Sequence, residues 1–300
     1  MSTIYLVGVP RRVCYYNVFQ NIHDFCLELF KDNLRLISPK NLGTNIIPDN
    51  SNVICFTDIL HTMKINNGKH VQKWNVIFIN VESMFVKDWY GLFLLFYNKI
   101  NRVITIFDYT YKNALKFKQI SDNINWTILA PTYLPELEEN RWSSDKRDID
   151  ILFFGSLNDR RNKIKRRLDR LLKFTKRTIF LNNKFDITAD SCRRCRIALV
   201  INYYPNNCPI DYYRIQQYIM RGIFFIHEEV QSEDKNSDEY RLLCRTVPFI
   251  PYEQIPQVCM EYLEKTDEEL DAIAAETLNI YKQHFDMKKQ FISEMEKINI

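Results

Sequence analysis

Short runs of Val, Ile, Leu and Phe alternate along this chain with longer stretches whose apolar residues recur every three or four positions. Strands feeding crossover helices give that alternation, and it points to parallel α/β sheets. In the first half it predicts strands at Ile4–Val9, Leu34–Ser38, Asn52–Thr57, Asn75–Val81, Arg102–Asp108 and Asn125–Ala130. Between the first two, Val18, Phe19, Ile22, Phe25, Cys26, Leu29 and Phe30 share one helical face, which predicts a helix packed on the sheet. From Pro131 to Asp148, proline, acid and arginine follow one another without a period, as in an interdomain connection. The alternation then resumes with strand Asp150–Phe154, helix Asp159–Phe174, strand Arg177–Leu181, a short helix around Ala189–Arg196 and strand Ile197–Asn202. Helix Ile210–Arg221, strand Ile223–His227, a short strand near Val247–Ile250 and helix Ile255–Glu264 complete a second sheet. Asp267–Ile300, without glycine or proline, predicts one or two long helices.

The expected fold is therefore α/β, with two Rossmann-like domains facing each other across a cleft. Residues 1–145 form the N-terminal domain, and residues 146–266 form the C-terminal domain. Residues 267–300 form helices that cross back and brace the N-terminal domain.

Composition narrows the class. With 300 residues, 46% of them hydrophobic and 14% aromatic, the chain has enough apolar surface for two modest cores. The net charge of +4 balances 41 cationic against 37 anionic residues, a milder excess than a dedicated nucleic-acid binder carries. The longest apolar stretch, Trp89–Tyr97, is too short to span a bilayer, and no signal-peptide pattern opens the chain. A cytoplasmic protein is expected. The eight cysteines, scattered without a framework, read as reduced thiols. Cys192 and Cys195 form a lone CxxC with no second pair, so no metal site is expected.

In open parallel sheets, ligands sit beyond the carboxyl ends of the strands. In the second half the strand Asp150–Phe154 ends in Gly155-Ser156, a tight turn before a helix N-terminus. Such a turn lets the backbone approach a phosphate, and Arg160 and Arg161 add charge-assisted contacts. Arg214 stands in the first turns of the helix Ile210–Arg221, where the helix dipole disfavours a cation, so an anionic ligand is expected beside it. Glu228, at a strand end, suits a donor ribose, and Tyr203, Tyr204, Tyr212 and Tyr213 suit stacking on a base or sugar. In the first half Glu82 and Asp108 end strands and are the candidates for a catalytic base. His227 and His23 read as structural histidines.

The run FFGSLNDRR, the strand ending in Asn202-Tyr203-Tyr204, then Tyr213-Arg214-Ile215, Gly222, Phe225-Ile226 and Glu228 resemble the C-terminal domain of family-1-type glycosyltransferases with the GT-B fold. Glu82, Asp108-Tyr109 with Asn113, and Tyr133-Leu134-Pro135 are similar to the N-terminal half of the same group. The resemblance covers about residues 75–265. It implies transfer of a sugar from a nucleotide-diphosphate sugar, as co-substrate, to a hydroxyl acceptor such as a glycan, a lipid-linked acceptor or a protein. No other cofactor and no metal clamp are implied, so Gly155, Ser156, Arg160, Arg214, Tyr204 and Glu228 are the expected donor-binding residues. In one respect the chain departs from the group. Many retaining members carry Glu-x7-Glu, and the two positions here are Pro209 and Gln217, so the sugar-contacting carboxylate is missing unless Asp211 or Glu228 replaces it.

Two rival functions follow from other features. The Pro209 and Gln217 departures favour a non-catalytic binding or scaffold module. The basic stretch Arg160–Arg177 allows contact with an anionic membrane surface or with nucleic acid, the latter as in a nucleic-acid base glycosyltransferase. A dinucleotide-dependent oxidoreductase is disfavoured because no G-x-G-x-x-G follows a predicted strand.

Overall fold

The inner β-branched and aromatic runs of the first half form strands whose side chains are covered on both faces, as parallel sheets flanked by helices require, while the edge strand Leu34–Ile37 exposes Arg35 and Leu36. The computed structural model describes residues 3–8, 16–38, 42, 47–57, 59–60, 73–81, 87–122, 124–129, 133, 147–173, 177–181, 191–192, 194–206 and 208–298. Two compact units divide the chain: Met1–Ala130 with Met287–Ile300, and Pro131–Asp286.

Unit 1 contains strands β1 (Ile4–Val7), β2 (Leu34–Ile37), β3 (Asn52–Phe56), β4 (Asn75–Ile79), β5 (Arg102–Asp108) and β6 (Asn125–Ile128). They form one parallel sheet in the order β2-β1-β3-β4-β5-β6, with Ile4 in register with Leu34 on one side and Asn52 on the other. Its helices are α1 (Tyr16–Phe30), α2 (Lys87–Tyr97), α3 (Tyr111–Lys118) and α9 (Met287–Ile298). An aromatic core fills one side: the Phe93 ring packs 4.9 Å from Phe78 and 4.8 Å from Phe117. The last helix, α9, lies against α1, with Phe291 5.1 Å from Phe107 and 6.1 Å from Phe25, and Lys288 paired with Glu28 at 2.7 Å.

Unit 2 contains β7 (Ile149–Phe154), β8 (Thr178–Leu181), β9 (Cys195–Val200), β10 (Phe225–Glu228) and β11 (Phe249–Ile250), all parallel in the order β11-β10-β9-β7-β8. Its helices are α4 (Asp159–Leu171), α5 (Tyr212–Met220), α6 (Asp238–Leu243), α7 (Ile255–Leu263) and α8 (Asp267–His284). Ile164 and Leu168 of α4, Ile255 and Cys259 of α7, and Leu270 and Ala274 of α8 close one face of the sheet over Ile151, Ile197 and Ile226. Thr266 begins α8 with a reciprocal capping box to Glu269.

Both sheets are Rossmann-like, so the expected α/β architecture holds in each unit. The boundaries fall elsewhere than expected. The division after residue 130 precedes the expected one at 145, and the stretch 267–300 is shared. Helix α8 packs on α5 and α6 within unit 2, and only α9 joins unit 1. Arg147 explains part of this: its guanidinium lies 2.6 Å from Asp271 and 3.5 Å from Asp267, fastening the end of the connection to α8. The short helix expected around Ala189–Arg196 falls partly outside the described residues, and Cys195 and Arg196 already belong to β9.

Candidate functional site

In unit 2 the chain runs from β7 outward to β8 and then returns to β7's other side as β9, so the strand order reverses between β7 and β9. A crevice beyond the carboxyl ends of such a pair is where open α/β sheets bind ligands. Gly155 follows β7 there with φ +138°, a conformation that side-chain-bearing residues rarely adopt. A Cβ added to it would lie 3.1 Å from Arg214 Nη2 and 3.4 Å from Arg161 Nη1. Asn158 then caps α4, its Oδ1 accepting from the Arg161 amide at 2.9 Å.

Two guanidinium groups therefore converge on the glycine. Arg161 is buried; its Nε and Nη2 donate to Ile201 O at 3.0 and 2.5 Å, and its Nη1 donates to Ser156 O at 2.6 Å. These bonds are all to neutral carbonyls. Burial first, and then the positive charge of Arg214, push the Arg161 guanidinium down to about 9, while Asp211, Tyr203 and Glu228 oppose the shift. Arg214 rises from the first turn of α5, whose N-cap is Asp211. Its Nη1 is buried and makes no hydrogen bond among the described residues, although Asp211 Oδ2 lies 3.1 Å away. One carboxylate thus faces two buried cations, and an anion placed at Gly155 would relieve both.

The remaining donor-side candidates divide. Arg160 and Glu228, expected to contact a ligand, are engaged with each other. Arg160 Nη1 donates to Glu228 Oε2 at 2.6 Å, its Nη2 donates to Oε1, and its guanidinium carbon sits 3.7 Å from the centre of the Tyr252 ring. Glu228 is 2% exposed, so the resulting fork is closed against solvent on the carboxylate side. Tyr204 behaves differently: it is 52% exposed, and with Tyr203 at 41% it forms an edge-on pair with centroids 5.0 Å apart. Among the described residues no other aromatic side chain is as exposed. Arg161 lies over the Tyr203 ring at 5.2 Å. Tyr212, grouped with them by sequence, is instead buried against Phe285, because α5 turns its first residue inward.

At the carboxyl end of the unit 1 sheet, Asp108 is wholly buried and its oxygens are taken. Oδ2 accepts from Asn80 Nδ2 at 2.6 Å, while Oδ1 accepts from the Thr110 amide at 2.9 Å and Asn113 Nδ2 at 3.1 Å. Asn80 in turn accepts from Thr57 Oγ1 at 2.9 Å, and Thr57 Oγ1 accepts from the Val81 amide at 3.0 Å. The carboxylate joins the ends of β3, β4 and β5 and caps the approach to α3, an environment suited to a fixed acceptor and not to a base exchanging protons with a substrate. The companion candidate, Glu82, lies outside the described residues.

His227 is buried, with Nδ1 2.5 Å from Glu228 O and Nε2 lacking a hydrogen-bond partner among the described residues. Burial pushes its pKa down to about 4, against a smaller opposing effect of the backbone contact, so the ring is neutral near pH 7. The basic face expected over Arg160–Arg177 is partly neutralised by its own unit. Lys163 and Arg167 pair with Glu253, Lys165 pairs with Asp169, and Arg177 pairs with Asp148. Cys192 and Cys195 are buried, Cys195 Sγ donating to Cys192 O at 3.3 Å. Among the described residues, no group of three or more His, Cys, Asp or Glu is placed to hold a metal ion, and no helix is long and apolar enough to cross a membrane.

Gly155, Ser156 and Arg214 lie together at one strand end, and the arginine beside them is Arg161, where the sequence had favoured Arg160. The α4 period distinguishes them: Ile164 and Leu168 lie three and seven residues beyond Arg161, on the same inward face.

No protein-family model matches the chain, and no curated protein is similar to it in sequence. Solved structures do resemble it. An α,α-trehalose 6-phosphate synthase from Burkholderia multivorans aligns with TM-score 0.62 and 8% identity over 100% of this chain and 99% of its own. T4 phage BGT in complex with UDP and Mn2+ aligns with TM-score 0.57 and 12% identity over 99% of each chain. A DNA-modifying β-glucosyltransferase, solved with and without uridine diphosphoglucose, aligns with TM-score 0.55 and 10% identity over 99% of each chain. The chain has the GT-B fold these proteins share, two Rossmann-like units.

Proposed function

We propose that this chain is a glycosyltransferase that moves a hexosyl or pentosyl group from a nucleotide-diphosphate sugar to a hydroxyl acceptor, without a metal clamp. The observation that carries this reading is the convergence of Arg161 and Arg214 on Gly155 at the strand reversal, with one carboxylate for two buried cations. Glycosyl transfer builds negative charge on the departing diphosphate, and fixed cations in a dry site stabilise that charge in the transition state. In this scheme Arg214 meets the diphosphate directly. Arg161 adds field from behind the Gly155-Ser156 turn, and Tyr203 and Tyr204 offer faces for a ring of the donor. If the reaction inverts, Glu82 is the base for the acceptor hydroxyl, since the oxygens of Asp108 are occupied. The UDP and uridine diphosphoglucose named with two of the structural neighbours support UDP as the first donor nucleotide to try, with GDP second.

A thermal-shift screen of UDP, GDP and their sugars tests the reading, since a donor stabilises the folded state by mass action. UDP or GDP raises the melting temperature, and EDTA leaves the shift in place. A flat response to every nucleotide removes the proposal, and a shift that appears only with Mn2+ removes its metal-independent part. Among acceptors, duplex DNA belongs in the assay beside glycans and lipid-linked hydroxyls, because one neighbour modifies DNA and because Arg166, Arg170 and Lys173 have no ion pair among the described residues.

A second reading is a binding module without turnover. Gln217, which stands at one of the expected carboxylate positions, spends its Oε1 on Arg221 Nη1 at 2.8 Å. Nucleotide binding with no hydrolysis or transfer of any UDP or GDP sugar would favour that reading.

A further inference from the structure

We infer that Arg160 and Glu228 are positioning residues: their closed pair holds the Tyr203–Tyr204 rings as a rigid stacking shelf for a ring joined to a diphosphate. The inference rests on the donor site proposed above and assigns that site a ring-recognition element.

The loop after β9 leaves regular structure at Ile201, yet side chains hold four consecutive residues of its backbone. Ile201 O accepts from Arg161 at 3.0 and 2.5 Å. The Asn202 amide donates to Glu228 Oε2 at 2.9 Å, and Asn202 O accepts from Arg160 Nη1 at 3.0 Å. Tyr203 O accepts from Asn158 Nδ2 at 2.7 Å, and Tyr204 O accepts from the Cys208 thiol at 3.0 Å. Both sides of the Asn202 residue are therefore fixed by two side chains that also fix each other. Arg160 is itself held from behind, stacked on Tyr252, whose hydroxyl donates to Arg160 O at 2.6 Å.

This loop carries the exposed tyrosine pair. Exposed aromatic rings on a mobile loop would lose conformational freedom on meeting a ligand, and rings on a pinned backbone have already lost it. The cation beneath Tyr203 lies beside the proposed diphosphate position, so a ring stacked there belongs to the same molecule as the anion. Both donors of Arg160 Nη1 are taken, by Glu228 and Asn202, so Nη1 would have to release one of them to meet that anion.

Isothermal titration with two probes, UDP and inorganic pyrophosphate, tests the inference. Arg160→Lys keeps the charge but loses the fork, and it should weaken UDP about tenfold while leaving pyrophosphate within about twofold. The Tyr203→Ala/Tyr204→Ala double variant should lose the same ring-selective part, and adding Arg160→Lys to it should cost UDP nothing further. Equal loss of both probes in Arg160→Lys would overturn the inference, because Arg160 would then touch the phosphates. Hydrogen exchange supplies a readout that needs no ligand: in Arg160→Lys and Glu228→Gln the amides of 202–204 should exchange faster while β9 stays protected. Unchanged exchange at those amides would also overturn it. Failure of the wild-type chain to bind either probe would instead remove the proposed donor site, with the exchange result still deciding whether the pair positions the loop.

Discussion

The carboxyl ends of the two sheets are built from similar parts and finish differently. In unit 1 the strand ends are joined by Thr57, Asn80, Asp108, Thr110 and Asn113, a buried network in which one acid is met by neutral donors. In unit 2 the corresponding end holds Arg160, Arg161, Arg214 and His227, with two carboxylates, Asp211 and Glu228, against three cations and a ring nitrogen without a hydrogen bond among the described residues. The first arrangement stabilises the fold by satisfying itself. The second stores electrostatic cost, which a fold retains where an anion will offset it.

Asp108→Asn should have the largest effect, lowering the unfolding free energy by about 3 kcal/mol, because the new amide group opposes donors that now require an acceptor. Urea denaturation reads this loss, and UDP affinity measured well below the midpoint should stay unchanged. Unchanged stability would mean that the unit 1 end is not self-satisfied.

Acid should distinguish the ends next. His227 has a folded pKa of about 4, below the roughly 6.5 of an unfolded histidine, so the unfolded state takes up the proton first. Its contribution is whole above pH 6.5 and is lost as pH falls toward 4, about 3 kcal/mol in all by linkage. A His227→Gln variant should show a flatter stability profile across that window, measured by urea midpoints at successive pH values.

Arg214→Ala should weaken UDP about a hundredfold, near 2.7 kcal/mol, with a melting temperature unchanged or raised because a poorly paired buried cation is gone. Falling stability with intact affinity would reverse the contrast between the two ends. A smaller effect is expected for Gly155→Ala, which costs about 1–2 kcal/mol through its φ of +138° and also displaces Arg214 Nη2 from the locus. The smallest is Thr266→Ala, which should lose about 1 kcal/mol with its capping box and leave binding untouched.

The same contrast explains what could be read from sequence. Parallel strands buried on both faces are continuous apolar runs, so Arg102–Asp108 was legible to the residue and most other strands to within one or two. Strand-end position then singled out Asp108 and Gly155, because that rule depends only on where a strand stops, and Arg214 stood out as a cation in the first turns of a helix. Whether a strand-end group is spent or available depends on partners distant in the chain. Arg160 meets Glu228 across 68 positions, and Asn80 meets Asp108 across 28, and no local pattern records either encounter. Likewise no local pattern records that Arg147 meets Asp271 across 124 positions, an ion pair that ties α8 into unit 2.

One feature of the fold bears on how the chain is made. Unit 1 takes its final helix from residues 287–298, after the whole of unit 2 has been translated. Phe25 and Phe107, which Phe291 covers in the finished molecule, therefore wait uncovered on the nascent chain while unit 2 is synthesised. Vectorial synthesis usually favours the N-terminal domain, but here the order is inverted: unit 2 holds all of its own segments before unit 1 does. During translation a chaperone would find its hydrophobic target on the part of the protein that emerged first.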